Sequence, residues 1–145
     1  MADNTSACEF PAFHTPDRVI AEVLKTTKVI AVIGLSPKED RPSHYVSVYM
    51  KNQGYKIIPV NPGQTQLLGE PCYKSLTDVP GPVDMVNIFR EPSAVPEIVD
   101  EAIAKGAKVI WMQLGIVHNA AADKARAAGL TVIMNKCIMV EHRHR

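Results

Sequence analysis

The residues predict a doubly wound α/β fold, a parallel sheet with helices on both faces, and three observations carry that reading. Strand-like runs alternate with helix-like stretches along the chain. The strand runs are continuously apolar rather than alternating, as strands covered on both faces must be. The length of 145 residues suits one domain with a sizeable core and is too short for two.

The elements follow in order. Residues 1–14 read as a flexible N-terminal arm. A helix then opens with Thr15 as N-cap and Pro16 at its first position, and Val19, Ile20, Val23 and Leu24 make one apolar stripe. The β-branched run from Lys28 to Ile33 is the first strand, ended by Gly34. After a polar loop from Leu35 to Pro42, a helix runs from Ser43 to Asn52, with Gly54 where a C-terminal cap belongs. Tyr55 to Val60 is the second strand, with Pro59 near its end because proline donates nothing to a ladder. Residues 61–82 hold four prolines and three glycines, which predicts a loop with at most a short helical turn near Ser75 to Val79.

Met85 to Phe89 is the third strand. Ser93 caps the next helix, whose Val95, Ile98, Val99, Ala102 and Ile103 share a face, and Gly106 ends it. Lys108 to Met112 is the fourth strand, Asn119 to Ala128 a helix stopped by Gly129, and Thr131 to Met134 the fifth strand. Right-handed crossovers favour the order 3-2-1-4-5, a five-stranded Rossmann-type parallel sheet in a single domain over 15–142. Residues 143–145 are left as a solvated basic tail.

Composition narrows the partners. With 16 Lys and Arg against 15 Asp and Glu, the net charge is +1, which gives no broad field for nucleic acid or an anionic membrane. Any anionic ligand has to be held by a few local cations. No apolar run approaches the roughly 18 residues that span a bilayer. Residues 1–13 lack the basic and apolar segments of a signal peptide. Cys8, Cys72 and Cys137 lie far apart without a C-x-x-C pair, so neither a disulfide framework nor a zinc ribbon is expected. These features predict a cytoplasmic protein.

In an open α/β sheet, ligands sit outside the carboxyl ends of the strands, at the switch point. Four distinctive polar segments fall at such ends: Gly34 to Arg41, Asn61 to Gln64, Phe89 to Pro92, and Gln113 to Gly115. Four together describe a lined cleft. In the first, Gly34 permits a tight turn, Ser36 offers a hydroxyl, Lys38 and Arg41 offer charge, and the following helix points its free N–H groups at the same place. That is a phosphate seat; the competing reading is an ordinary loop with solvated charges. The dinucleotide fingerprint G-x-G-x-x-G is missing, since Ser36 and Glu39 replace its second and third glycines. The second strand ends in Val60-Asn61-Pro62, without the carboxylate that holds the ribose of NAD. Its absence, with Lys38, Arg41 and Arg90 nearby in the topology, suits a heavily phosphorylated adenosine.

Residues 28–142 resemble the small stand-alone bacterial CoA-binding proteins (YccU-like) and, more distantly, the CoA-binding domain of the succinyl-CoA synthetase alpha subunit. Six segments carry the resemblance: Val32 to Pro37, Tyr55 to Pro62, Leu68 to Tyr73, Asn87 to Arg90, Val109 to Gly115 and Asn135 to His142. The resemblance implies that coenzyme A lies across the strand ends. Gly34, Leu35, Ser36 and Pro37 would meet its phosphates, the first three through backbone N–H groups, with Lys38 and Arg41 as counter-charge. Val60, Asn61 and Pro62 would border the adenosine, while Phe89, Arg90 and Gln113 would line the pantetheine. Arg41 is accordingly expected to weigh more for CoA than for dephospho-CoA. Gln64 stands where the ligase domain carries a lysine, and no counterpart of that subunit's phosphohistidine domain is expected in these 145 residues. The resemblance therefore favours a carrier, sensor or accessory module binding CoA or acyl-CoA. A small NAD(P)-linked oxidoreductase, or a subunit of an acyl-CoA ligase or transferase completed by a partner chain, is the alternative. A scaffold with a degenerate cleft is a third reading.

No residue is assigned a catalytic role. Cys137, beside Lys136, is the most tempting nucleophile, but free cysteine is among the most buried residue types and a structural thiol is the favoured reading. Trp111 is read as core. His142 and His144, two residues apart, supply too few ligands for a metal site.

Overall fold

A computed structural model describes residues 9–145. Residues 1–8, with Cys8 and the first part of the expected arm, lie outside them. The chain forms helix α1 (Asp17–Thr26), strand β1 (Val29–Ile33), α2 (Pro42–Asn52), β2 (Lys56–Val60), a small ribbon of β3 (Gln66–Leu67) and β4 (Glu70–Pro71), and β5 (Met85–Ile88). It continues with α3 (Val95–Lys105), β6 (Val109–Met112), α4 (Asn119–Ala127), β7 (Thr131–Ile133) and α5 (Ile138–Arg143). Among the described residues no helix is long and apolar enough to cross a membrane.

The five long strands form one parallel sheet in the order β2-β1-β5-β6-β7. Along the chain this is 2-1-3-4-5, which corrects the expected 3-2-1-4-5 while keeping the doubly wound class. Pro59 supplies the reason. It lies inside β2, and its carbonyl accepts from Tyr73 N at 3.1 Å on the side away from β1. In the expected order the third strand would occupy that side and meet a residue with no N–H to give. Placing β2 at the edge removes the conflict. β5, with all four residues buried, takes an interior place between β1 and β6.

Successive strand residues face opposite layers. Ala31, Val86, Ile88, Ile110 and Val132 pack against Ile98, Val99 and Ala102 of α3 and Ala121, Ala122 and Ala125 of α4. Ile30, Val32, Met85, Trp111 and Ile133 pack against Ile20 and Leu24 of α1, Val46 and Met50 of α2, and Ile138 of α5. Trp111 is fully buried, as its place in a central strand predicts, and its Nε1–H donates to Lys136 O at 2.8 Å.

Helix starts depart from the expected caps. Thr15 donates its hydroxyl to Val132 O at 2.6 Å instead of capping α1, which begins at Asp17 after Pro16. Ser93 lies in a 3₁₀ turn, Pro92–Ala94, that precedes α3. The stretch 61–82 contains the β3–β4 ribbon as well as a 3₁₀ turn, Leu76–Asp78. Leu68 and Gly69, at φ 55° and 74°, form the tight turn between its strands. Residues 143–145 are exposed, as expected of a solvated tail, and the end of the chain is also tied down. Helix α5 runs through Arg143, and Arg145 bonds Asp17 at 2.9 Å and Glu141 at 3.1 Å. His142 meets the Tyr49 hydroxyl through Nδ1 at 2.9 Å and stands edge-on to the Tyr49 and Tyr55 rings.

Candidate functional site

The chain leaves β1 toward β2 on one side and reaches β5 on the other, so the switch point lies between β1 and β5. Two clefts open there. The first, of about 650 Å³, includes Gly34, Ser36, Lys38, Arg41, Phe89 and Gln113 in its lining. The second, of about 480 Å³, includes Gly34, Val60, Asn61, Pro62, Arg90 and Lys74. Gly34 is common to both. Of the twelve residues singled out by sequence, Leu35 and Pro37 line neither cleft.

Gly34 joins the clefts because nothing larger fits. Its φ is +88°, and a Cβ placed there would lie 2.8 Å from the Phe89 carbonyl oxygen and 3.1 Å from Arg90 Cδ. The loops leaving β1 and β5 thus touch through backbone. Asn61 ties in the loop after β2: its Nδ2 donates to Leu35 O and its Oδ1 accepts from Gly63 N, both at 2.8 Å. The side chain that was to border a ligand is therefore also a strut between loops.

The loop expected to seat a phosphate has fewer free amides than that reading supposes. Gly34 N–H already donates to Val60 O at 2.9 Å, and Ser36 N–H donates to Ser43 Oγ at 2.9 Å. Neither is a free donor, so the three-amide cradle is corrected. Leu35 N and Ser43 N have no hydrogen-bond partner among the described residues, while the Leu35 side chain is fully buried. Ser36 Oγ accepts from Lys38 N at 3.1 Å and Ser36 O meets His44 Nδ1 at 2.8 Å, which fixes the loop against α2. Charge at the site comes from side chains. Lys38, Arg41 and Lys74 are exposed and form no ion pair among the described residues. Arg90 pairs with its neighbour Glu91 at 3.1 Å, and that hydrogen bond holds the Glu91 carboxyl below the usual carboxylate range.

Gln113 is only 3% exposed. Its Nε2 donates to Asn87 Oδ1 at 2.6 Å and its Oε1 accepts from Ile138 N at 3.3 Å. It lines the first cleft while bracing β5, β6 and the start of α5. Sequence reasoning missed Lys74, which enters the second cleft because Tyr73 forms a parallel bridge with Val60 at the open edge of β2. It also missed the contribution of α5: Cys137, Met139 and Val140 wall the first cleft. Cys137 is half-buried at the start of that helix, packed against the core and also lining the cleft. No group of three potential metal ligands occurs among the described residues.

A doubly wound domain with exposed cations and two joined clefts at the switch point has its candidate site where open α/β sheets place their ligands. Residues 28–143 match the model of the CoA binding domain, and the chain belongs to that family. It is 44% identical over 123 residues to the uncharacterized protein YneT of Bacillus subtilis, covering 85% of this chain and 91% of that one. A hypothetical protein from Pyrococcus horikoshii superposes with a TM-score of 0.88 at 39% identity, covering 94% and 96% of the two chains. Over 83 residues it is 39% identical to an ADP-forming acetate–CoA ligase of Archaeoglobus fulgidus, covering 56% of this chain and 12% of that one.

Proposed function

We propose that this chain binds coenzyme A or an acyl-CoA across both clefts and serves as a carrier, sensor or accessory module with no catalysis of its own. The observation that supports it best is the arrangement of charge around the junction at Gly34, with Lys38 and Arg41 in one cleft and Lys74 and Arg90 in the other. CoA has two anionic regions, a pyrophosphate and a ribose monoester, and a cation pair on each side of a narrow bridge suits them, with Lys74 and Arg90 holding the monoester against Glu97 and Glu101 of the same cleft. Val60, Asn61 and Pro62 share the second cleft with Lys74 and Arg90, so in this reading the adenosine and its ribose phosphate lie there. The pyrophosphate lies beside Ser36, Lys38 and Arg41, and the pantetheine follows Phe89 and Gln113. Arg41, expected from sequence to favour CoA over dephospho-CoA, moves to the pyrophosphate.

Calorimetric titration with CoA and dephospho-CoA tests the arrangement. A charge-assisted hydrogen bond contributes about 1.5–3 kcal/mol, so removing one weakens binding roughly 10- to 100-fold. Lys74→Ala lowers affinity for CoA and spares dephospho-CoA; Arg41→Ala lowers both. Loss of discrimination in Arg41→Ala alone would return that arginine to the ribose phosphate, and no heat with either ligand would remove the function. A second reading, a subunit completed by a partner chain, is supported by the similarity to acetate–CoA ligases, of which this chain spans a small part. Acyl-CoA synthesis appearing only after such a partner is added distinguishes it.

A further inference from the structure

Beyond the phosphates, the first cleft divides by chemistry. Its lining includes the polar Ser36, Lys38 and Arg41 and the apolar Phe89, Leu114, Ile116, Met139 and Val140. Leu114 is 70% exposed and Tyr45, on the same cleft, 46% exposed. The chain's own residues therefore leave apolar surface uncovered inside a concave site, where a ligand rather than the core has to cover it. The second cleft differs: Lys74, Arg90, Glu97 and Glu101 put four charges in its lining. A single occupant that matches the first cleft is anionic at one end and hydrocarbon at the other.

We infer that the apolar part of the first cleft seats the acyl chain of a CoA thioester, so that the protein takes medium-chain acyl-CoA in preference to free CoA. The inference rests on the CoA reading above and adds the class of thioester. With the pyrophosphate beside Lys38 and Arg41, the pantetheine runs along Phe89 and Gln113, and its sulfur is directed toward Leu114 and α5. Carbon atoms beyond the sulfur then replace water against Leu114, Ile116, Met139 and Val140. The hydrophobic effect favours each buried methylene by about 0.8 kcal/mol, which is close to fourfold in affinity. The carboxylates of Glu97 and Glu101 stand in the other cleft and do not oppose the chain.

Titrations with CoA, acetyl-CoA and hexanoyl-CoA test this. Two of the four additional methylenes, if buried, tighten hexanoyl-CoA over acetyl-CoA by roughly 15-fold. Leu114→Asn and Met139→Gln place polar groups on the wall and remove most of that gain while leaving free CoA within about twofold. Leu114 is exposed, so its substitution leaves the fold intact. CoA binding with equal affinity across the three ligands overturns the acyl seat and leaves the CoA reading standing. A chain-length gain unchanged in both variants overturns the location. Failure of every ligand, CoA included, overturns the underlying function.

Discussion

Replacing Gly34 by alanine is the sharpest test of the switch-point geometry. The backbone there has φ +88°, a region where an L-residue costs about 1–2 kcal/mol. The added Cβ would also stand 2.8 Å from the carbonyl oxygen of Phe89, a backbone atom that cannot rotate away. Relieving such an overlap by moving packed segments costs about 1–3 kcal/mol more. Gly106, the left-handed cap of α3, is the matched control: its φ is +81°, yet nothing lies within 4 Å of its would-be Cβ. Gly34→Ala is therefore expected to lose about 2–5 kcal/mol and Gly106→Ala only about 1–2 kcal/mol. Urea unfolding followed by circular dichroism measures both, because the midpoint shift at constant slope reports stability directly. Equal losses in the two variants would show that β1 and β5 do not press together at Gly34, and the account of how the clefts are joined would fail. CoA affinity in Gly34→Ala, measured below the unfolding transition, is expected to fall as well, since the variant moves the residue common to both clefts.

Two further outcomes follow from polar groups that are buried or half-buried. Gln113→Leu strands Asn87 Oδ1 and Ile138 N, and is expected to cost about 2–4 kcal/mol in urea unfolding, with part of the loss recovered when Asn87 is also made apolar. Burial, and then the neighbouring Tyr49, raise the Tyr55 phenol above its ordinary value, while its hydroxyl donates to Leu24 O. The unfolded chain ionises this tyrosine near pH 10, whereas the folded chain holds the proton to higher pH, so its stabilising contribution is lost as pH rises above about 10. Unfolding midpoints taken from about pH 9 to 11 should fall more steeply in the native protein than in Tyr55→Phe; parallel curves would refute the role.

The fold was largely legible because parallel strands buried on both faces write themselves as short apolar runs, and Val29–Ile33 and Val109–Met112 are such runs. Strand order was less so. Crossover handedness admits more than one arrangement, and the deciding mark, Pro59 inside an edge strand, was read only as a strand end. The β3–β4 ribbon, with two residues per strand, has no periodicity to detect. At the site, the switch-point rule located the loops, and ten of the twelve residues line a cleft. Which amides are free depended on partners elsewhere in the chain, Ser43 Oγ for the Ser36 N–H and Val60 O for the Gly34 N–H, and no local pattern encodes such pairings. Lys74 enters only through the bridge between Tyr73 and Val60, a contact between distant residues.

Helix α5 is six residues long, far below what holds a helix together unaided. Its inner residues face the first cleft, while its outer end hangs on Tyr49 of α2 and Asp17 of α1. The shape of one wall is thus set by the neighbouring helices of its own layer. Loosening Arg145 from Asp17, a substitution remote from any ligand, would let that wall breathe and be felt as faster ligand release before any loss of folded protein.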